Sequence, residues 1–454
     1  IEREILLKAM PHISWPMRFV LPYHKNMRFD VNTPTSKLLN IFMPWLRGRR
    51  PAWLIRFGLF LYDNMGGRNF LKGTNSLSLI NSPEGLPLKN KFSKAFEYSD
   101  CWIEDSRLVI LNARDAEIRG AKINVRTKVT SAEQIKGVWH LTLHSLRDDT
   151  SRVVTARMIV NAGGPWVEDI IQNKIRLNSS EGVRLVRGSH LITKKLYDHE
   201  KCYFFQGEDG RIIFAIPYET DFTLIGTTDV EHADISIKPE CTLEEQNYLI
   251  NFASQYFKIK VTDDDIIKTY SGVRPLYNDN ASSASAATRD YVLSIDETLG
   301  APMLNVFGGK ITTYRKLSEN ALDKISKILP SVEVSWTAGV PLPGGNFDIK
   351  EVQDLKNKLL NKYTFLDQFW ATRLLKAYGL DAFSILGCSN LVEDLGINFG
   401  ATLTEKEVVW LIEKEYAQTA DDIIWRRSKL GLRLSNQEIK ALSKWVDINL
   451  TIIK

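Results

Sequence analysis

Residues 306–317 read VFGGKITTYRKL, and this stretch carries the strongest local signal in the chain. A buried strand over residues 303–307 leads into two glycines and a lysine, and a helix follows. The N–H groups and the positive dipole end of a helix start favour a negatively charged ligand. The glycines let such a ligand approach the backbone, and Lys310 adds a full positive charge. The alternative is an ordinary strand-to-helix turn in which Thr312 and Thr313 cap the helix.

Residues 159–166 read IVNAGGPW and form a second turn of the same kind. The apolar run before it predicts a strand, and Pro165 suits the first position of a helix. Small residues at such a turn let a cofactor pass close to the main chain, but a strand-to-helix turn can also need them for packing alone. Both interpretations stay open on this pattern alone.

Several other segments accompany these two turns in a fixed order. They are EYSDCWIEDSRL at 97–108, SGVRPL at 271–276 and TRDYVLSI at 288–295. With GGKITTYRKL and IVNAGGPW at these spacings, the chain resembles the FAD-dependent glycerol-3-phosphate dehydrogenase family, a branch of the D-amino-acid-oxidase-like flavoproteins. The resemblance covers nearly the whole chain, including RLVRGSHLI at 184–192, FAIPYETDFTLIGTTDVE at 214–231 and EYAQTADDIIWRRSKLGL at 415–432.

The resemblance implies a fold of α/β plus all-α type, with a doubly wound FAD-binding domain, a mixed-sheet substrate domain and a helical C-terminal domain. Alternating apolar residues predict strands of the substrate domain over 189–193, 203–206, 212–217 and 222–226. Apolar residues at helical spacing follow the Pro-Leu-Pro-Gly-Gly segment that ends at residue 345. The predicted boundaries are 1–95 with 182–270 for the substrate or cap domain, 96–181 with 271–330 for the rest of the FAD-binding domain, 331–345 for a linker and 346–454 for the helical domain.

One part of the family pattern is missing from this sequence. Members of the family open with a strand, a GxGxxG glycine loop and a helix, which bind the ADP half of FAD. No GxGxxG occurs here, and the chain begins at Ile1 within what resembles a later helix. We therefore expect an N-terminally incomplete piece of a longer protein, with FAD affinity severely reduced if the missing unit is truly absent.

Arg274, in SGVRPL, is the first candidate for substrate binding. Its guanidinium offers a planar fork of donors that suits phosphate or carboxylate, and the adjacent glycine and proline would fix the loop that presents it. The resemblance assigns Lys310 and Arg289 to the same substrate pocket, because a dianionic phosphate needs more than one positive partner. The alternatives are a surface salt bridge for Arg274 and an Arg289–Asp290 pair that anchors a strand.

His190, in RGSHLI, is the histidine best suited to proton transfer. Oxidation of a secondary alcohol sends a hydride to the flavin and the hydroxyl proton to a base, and an imidazole titrates in the useful pH range. The resemblance makes His190, Arg274 and Lys310 the predicted catalytic residues. The alternative for His190 is a hydrogen-bonded histidine within a strand.

The resemblance also assigns cofactor contacts to the two glycine turns. The predicted FAD-binding residues are Ala162, Gly163, Gly164, Trp166, Gly308, Gly309, Lys310, Ile311 and Thr312. At the helix start that contains Thr312 and Thr313, the helix dipole would also stabilise the anionic reduced flavin. No metal site is predicted, because the four cysteines are scattered and form no CxxC pair or zinc-type spacing with histidine.

Composition indicates a folded, multi-domain chain, since 44% of the 454 residues are hydrophobic and 25% are charged. The net charge of +5 suits an anionic substrate or an anionic lipid surface, and no nucleic-acid partner is expected. Residues 43–62 combine aromatic side chains with arginines, which is typical of a membrane-interface segment. A core helix flanked by a basic loop is the alternative, and the pattern slightly favours it.

The sequence therefore predicts an FAD-dependent enzyme that oxidises the C2 hydroxyl of sn-glycerol 3-phosphate to give dihydroxyacetone phosphate. The family implies membrane quinone as electron acceptor and a cytoplasmic enzyme peripherally associated with the inner face of the cell membrane and its lipid surface. A homodimer is one candidate assembly. Two alternatives stay open: a glycerol-3-phosphate oxidase that gives its electrons to oxygen and forms peroxide, and a cofactor-free fragment without activity.

Overall fold

The computed structural model describes residues 1–24, 27, 51–64, 67–177, 181–207, 210–278, 290–330 and 334–453. Within these ranges the strands are β1 Ser14–Pro22, β2 Asn75–Ser78, β3 Lys94–Ile103, β4 Thr127–Ile135, β5 Val138–Ser145, β6 Ser151–Ala156, β7 Ile159–Asn161, β8 Val183–Lys194, β9 Cys202–Gln206, β10 Ile212–Tyr218, β11 Phe222–Gly226, β12 Val230–Glu231, β13 Ile266–Tyr277, β14 Val292–Asp296, β15 Met303–Phe307, β16 Asn398–Gly400 and β17 Leu403–Thr404. The α-helices are α1 Glu2–Ala9, α2 Ala52–Asn64, α3 Asp105–Ile118, α4 Val167–Asp169, α5 Leu243–Tyr256, α6 Tyr314–Ile325, α7 Val352–Lys362, α8 Gln368–Tyr378, α9 Asp381–Leu386, α10 Glu405–Lys414 and α11 Asn436–Ile453.

The chain folds into two compact units. Unit 1 comprises residues 1–16, 101–125 and 335–454, and unit 2 comprises residues 17–100 and 126–334. The predicted boundaries had grouped 1–16 with the substrate domain and 101–125 with the FAD-binding domain. The structure groups both segments with the C-terminal helices: the Ala9 carbonyl at the end of α1 accepts a backbone hydrogen bond from Leu342, and Arg107 of α3 pairs with Glu415.

Unit 2 is built on a mixed sheet with the strand order β12-β8-β11-β10-β9-β1-β3-β2, and β13 pairs with β8 outside this path. The four strands predicted from alternating residues correspond to β8 to β11, although β8 begins at Val183 rather than Ser189. Helix α5 packs its apolar face on this sheet, where buried side chains such as Leu249 and Phe252 meet Leu191 and Ile225. The mixed sheet of the predicted substrate domain is therefore present.

A smaller sheet of unit 2 has the strand order β14-β15-β7. Strands β15 and β7 are parallel, with Met303 opposite Ile159 and Asn305 opposite Asn161, whereas β14 is antiparallel to β15. The hairpin strands β4 to β6 form a separate antiparallel sheet, and Trp139 of β5 donates a hydrogen bond from Nε1 to the Pro302 carbonyl at 2.9 Å. Parallel pairing brings the carboxyl ends of β7 and β15 to the same edge of the sheet.

Unit 1 is largely helical, as predicted for the C-terminal region, and adds a short β16–β17 pair. Its core is formed by apolar side chains of α7 to α11, with Leu359, Leu374 and Leu411 almost fully buried. Part of the predicted linker, residues 331–345, is hydrogen-bonded to the rest of this unit. Leu342 donates a backbone hydrogen bond to the Ala9 carbonyl, and the Gly344 carbonyl accepts one from Leu380.

Helix α2 lies mostly within residues 43–62, the basic, aromatic segment described above. The sequence pattern slightly favoured a core helix there, and this prediction is wrong. Ala52, Ile55 and Leu59 pack on apolar side chains of unit 2, but no side chain of α2 is fully buried. Trp53 and Phe57, with Phe60 and Leu61, remain about half exposed. The arginines at 47, 49 and 50 lie outside the described residues. Of the helices in the described ranges, none is long and apolar enough to cross a membrane.

Charged side chains are buried among the helices of unit 1. Arg373 donates from Nη1 and Nη2 to the two carboxylate oxygens of Glu407 at 2.6 and 2.7 Å, and Tyr378 donates its hydroxyl to the same carboxylate at 2.6 Å. Arg107 of α3 makes a similar forked pair with Glu415. A buried pair of this kind contributes little net stability, but the loss of one partner leaves an uncompensated charge.

We expect Arg373→Met to lower the free energy of unfolding of unit 1 by about 3–5 kcal/mol, because Glu407 would stay buried without its charge partner. The double variant R373M/E407L should recover part of this loss. Urea unfolding followed by tryptophan fluorescence measures both effects. Lys238→Met is the control, since its pair with Glu240 is exposed. An unfolding midpoint of R373M equal to that of K238M would contradict the prediction.

Candidate active site

The pairing of β8 with β13 places the main candidate residues on one face of the sheet. In its register, His190 lies opposite Tyr270, Gly188 opposite Gly272, and Val186 opposite Arg274. Alternate residues of a strand share a face. Arg274, the glycine pair and His190 therefore lie along the same face.

The Arg274 side chain extends over Gly188, because a Cβ atom on that glycine would lie 2.6 Å from the guanidinium Nη2. The guanidinium donates to Thr227 Oγ1 at 3.0 Å and to Asp229 Oδ1 at 2.5 Å. The surface salt bridge considered as an alternative is therefore present. Since Arg274 and Asp229 are 39% and 43% exposed, their pair contributes at most about 1 kcal/mol, and a dianionic ligand can replace the Asp229 carboxylate.

The turn after β15 has a backbone that only glycine adopts easily. Gly308 and Gly309 have φ angles of +70° and +113°. Lys310 Nζ lies 3.3 Å from Asp290 Oδ1 in an exposed pair. The helical segment begins at Ile311, and no side chain caps its start or the start of α6 at Thr313. The threonine capping proposed as an alternative is therefore absent at this start, where the Thr313 N–H donates to the Lys310 carbonyl at 3.0 Å. The positive end of the helix dipole favours an anion there.

The turn after β7 combines a packing need with a positive φ. A Cβ on Gly163 would lie 2.5 Å from Ile170 Cδ1, so a side chain there would displace Ile170, whereas Gly164 has a φ of +56°. The buried Asn161 side chain donates from Nδ2 to Asn305 Oδ1 at 3.1 Å. This amide pair joins the end of β7 to the middle of β15. Sequence analysis missed it, although an asparagine stands in both IVNAGG and LNVFGG.

Both turns adjoin the strand that carries Arg274. A Cβ on Gly308 would lie 3.6 Å from the Pro275 carbonyl oxygen, and the turn of Gly164–Trp166 contacts β13. Trp166 and Ile311 are 52% and 43% exposed. The arrangement of two small-residue turns, an uncapped helix start and half-exposed apolar side chains fits a planar, anionic group such as the flavin part of FAD. The predicted cofactor residues thus converge at one edge.

His190 is held by close packing on both sides of its ring. The imidazole stacks on the Tyr270 ring with centroids 4.8 Å apart and planes tilted by 6°. A Cβ on Gly226 would lie 2.1 Å from His190 Cδ2, so only glycine fits beside the ring. Arg289, the third predicted phosphate ligand, lies outside the described residues.

Two family models match the chain. The FAD dependent oxidoreductase model covers residues 76–315, and the model of the C-terminal domain of alpha-glycerophosphate oxidase covers residues 335–450. A glycerol-3-phosphate dehydrogenase from Pseudomonas aeruginosa is 43% identical over 98% of this chain and 82% of its own length. The chain belongs to the FAD-dependent glycerol-3-phosphate dehydrogenase family. Its oxidoreductase domain uses FAD, and the predicted combination of an α/β flavin domain, a mixed sheet and a C-terminal helical region is confirmed.

The chain is also similar to two further proteins. A D-erythritol 1-phosphate dehydrogenase from Brucella abortus is 42% identical over 98% of this chain and 85% of its own length. The crystal structure of a glycerol-3-phosphate dehydrogenase from Bacillus halodurans, complexed with FAD, has a TM-score of 0.71 at 22% identity and covers all of this chain and 85% of that chain. This second similarity supports the fold.

Gly309→Ala should weaken FAD binding at least about tenfold, because an L side chain pays a backbone penalty at positive φ and the new Cβ would lie 3.0 Å from Leu317 Cδ1. Titration of the apoprotein with FAD, followed by flavin fluorescence, gives the dissociation constant. Gly339→Ala is the matched control, since a Cβ there has no heavy atom within 4 Å. Equal FAD affinity for G309A and G339A would refute the assignment of this turn.

Proposed function

We propose that this protein oxidises sn-glycerol 3-phosphate to dihydroxyacetone phosphate with FAD. The observation that carries the proposal is the placement of Arg274 with His190 on one face of the β8–β13 pair, next to the turn that presents Lys310. A phosphate ester of a secondary alcohol needs an anion site and a proton acceptor close together. The relatives named for this activity add support to this choice of substrate.

In this proposal, Arg274 and Lys310 hold the substrate phosphate. Each is now paired with an exposed carboxylate, Asp229 or Asp290, so phosphate binding exchanges one anionic partner for another at little cost. Arg274 can offer two parallel donors to the phosphate, whereas Lys310 supplies a point charge. Arg289 stays a third predicted ligand. The two cations position the substrate so that its C2 hydroxyl faces the imidazole.

His190 accepts the proton of that hydroxyl. The stacked Tyr270 ring and the absence of a side chain at Gly226 fix the plane of the imidazole, whose Nε2–Cδ2 edge lies against Gly226. When bound, FAD supplies the acceptor for the hydride from C2. A Cβ on Gly272 would have no heavy atom within 4 Å, so the sheet face is open at this residue, beside the Arg274 guanidinium, which is where a three-carbon substrate would lie.

A second substrate is favoured by one observation. The relative named D-erythritol 1-phosphate dehydrogenase is as similar to this chain as the relative named glycerol-3-phosphate dehydrogenase. Both substrates carry a phosphate ester on a polyol, so Arg274 and Lys310 would serve either one. A four-carbon substrate is longer and needs more room on the sheet face that carries Arg274 and the glycine pair. Comparison of the two compounds as reductants decides between them.

Glycerol 3-phosphate should bleach the flavin absorption of the FAD-loaded protein without oxygen, with a higher kcat/KM than D-erythritol 1-phosphate. Arg274→Gln should raise the KM at least about tenfold, because a charge-assisted phosphate contact is lost. Arg119→Gln is the control, since it removes an arginine that is equally exposed and ion-paired but lies in unit 1. Faster reduction by the four-carbon compound would assign the enzyme to that substrate instead.

For the electron acceptor, we propose membrane quinone, with the protein bound at the cytoplasmic face of the membrane. The support is the exposed apolar side of α2, because Trp53, Phe57 and Phe60 recur at helical spacing on the surface of unit 2. Aromatic side chains of this kind suit the lipid headgroup level. An oxidase would instead form peroxide without lipid or quinone. The homodimer stays a prediction.

The double variant W53D/F57D should bind vesicles of phosphatidylglycerol and phosphatidylcholine at least about tenfold more weakly, because two aromatic side chains lose their burial in lipid. Cosedimentation with the vesicles measures the binding. The control V109D/I118D removes two exposed apolar side chains and adds the same charge elsewhere. If both variants lose binding equally, net charge rather than α2 determines association. Peroxide yield in air with substrate tests the oxidase alternative.

A further inference from the structure

The face of the β8–β13 pair opposite Arg274 carries a second polar cluster. Ser189 and Arg187 alternate with the residues of the substrate face, so they lie on the side covered by α5. Glu245 of α5 is only 5% exposed there. Its carboxylate accepts hydrogen bonds from Ser189 Oγ at 2.8 Å and Arg187 Nη2 at 2.8 Å. It also accepts one from Thr228 Oγ1 at 2.7 Å.

Glu245 keeps its negative charge in this buried position. Burial raises the pKa of its carboxyl, but hydrogen bonds from Thr228, Thr242, Ser189 and Arg187 outweigh burial and lower the pKa to about 2. The carboxylate also caps the start of α5 by accepting from the Thr242 backbone N–H at 3.1 Å. The proposed catalytic chemistry uses no residue of this cluster, so the buried charge needs a separate explanation.

Thr228 connects the buried carboxylate with the substrate face. Its hydroxyl donates to Glu245 and accepts from the Ser189 backbone N–H at 2.9 Å. The residues on either side, Thr227 and Asp229, are the ones whose side chains accept from the Arg274 guanidinium. The Thr228 carbonyl oxygen lies 3.5 Å from Arg274 Nη1. Residues 227–229 therefore form a cradle for the guanidinium, and the side chain of the central residue is anchored to Glu245.

We propose that Glu245 is a positioning residue for phosphate binding: from behind the sheet, it fixes residues 227–229 and thereby orients the Arg274 guanidinium toward the substrate phosphate. This inference rests on the proposed function, since it takes Arg274 as a phosphate ligand. A purely structural Glu245 would act through the cap of α5 and the pair with Arg187. Such a role would alter stability but not phosphate affinity.

The test measures the dissociation constant of inorganic phosphate by calorimetry on the FAD-loaded protein. Glu245→Gln keeps the side-chain size but replaces one acceptor oxygen by an NH2 group. Because Arg187 and the Thr242 N–H can only donate, the amide oxygen stays with them and the NH2 faces Thr228, whose hydroxyl then loses its acceptor. We expect phosphate to bind about tenfold more weakly to E245Q, with unchanged FAD content. Glu244→Gln is the matched control, because the neighbouring carboxylate is exposed.

Thr228 variants separate positioning from stability. Thr228→Val removes the hydroxyl at equal size and should weaken phosphate binding as E245Q does, whereas Thr228→Ser keeps the hydroxyl and should bind phosphate like the parent protein. The double variant E245Q/T228V should be no weaker than either single variant, because both act through one hydrogen bond. The proposal would be overturned if T228S bound phosphate as weakly as T228V. It would also be overturned if E245Q unfolded at a lower temperature but bound phosphate as tightly as the parent protein.

Two further outcomes separate this inference from the proposed function. If Arg274→Gln leaves the phosphate affinity unchanged, Arg274 is not a phosphate ligand and the positioning role of Glu245 is wrong. In the second outcome, phosphate affinity falls in both the Arg274 and the Glu245 variants, but glycerol 3-phosphate does not reduce the flavin of the parent protein. The proposed function then fails and the positioning role of Glu245 stands.

Discussion

The antiparallel pairing of β8 with β13 is the constraint on which the rest of the site depends. Its register sets Arg274 and His190 on one face and Ser189 with Arg187 on the other. A slip of one residue would exchange the two faces, because side chains alternate along a strand. It would bring the Arg274 charge beneath the apolar face of α5. The buried apolar and polar contacts behind the sheet therefore hold the register that the open face requires.

Electrostatic balance differs sharply between the two faces of this pair. On the open face, Arg274 and Lys310 are matched by exposed carboxylates that exchange readily with a ligand. On the covered face, the Glu245 carboxylate is buried and accepts hydrogen bonds from fixed donors, so no ligand or solvent molecule replaces them. Exchangeable charge suits binding, whereas fixed charge suits alignment of the groups that bind. The parallel pair β7–β15 then brings the two glycine turns to the same strand, β13.

Unit 1 uses buried charge for internal organisation. The forked pairs Arg107–Glu415 and Arg373–Glu407 each join distant parts of the chain. Burial and then the nearby arginines Arg107 and Arg114 lower the pKa of His12 to about 3, so the imidazole stays neutral beside them. These groups accept few alternative partners, which favours one arrangement of the helices over others. Histidine content alone would not have distinguished this buried ring from a catalytic one.

The sequence by itself determined the family, and it predicted the two glycine turns as cofactor contacts and the guanidinium of SGVRPL as a substrate contact. These are local signals, in which a glycine φ requirement or a donor type stands beside the strand that presents it. It did not indicate Asp229, Thr228 or Glu245, because residues 29 or more positions from Arg274 reach it only through sheet pairing and helix packing. It also misjudged α2, since the same aromatic spacing fits a core helix and an exposed one. Only the tertiary structure decided which side chains face each other and which face solvent, because pairing register and burial are set by contacts between distant segments.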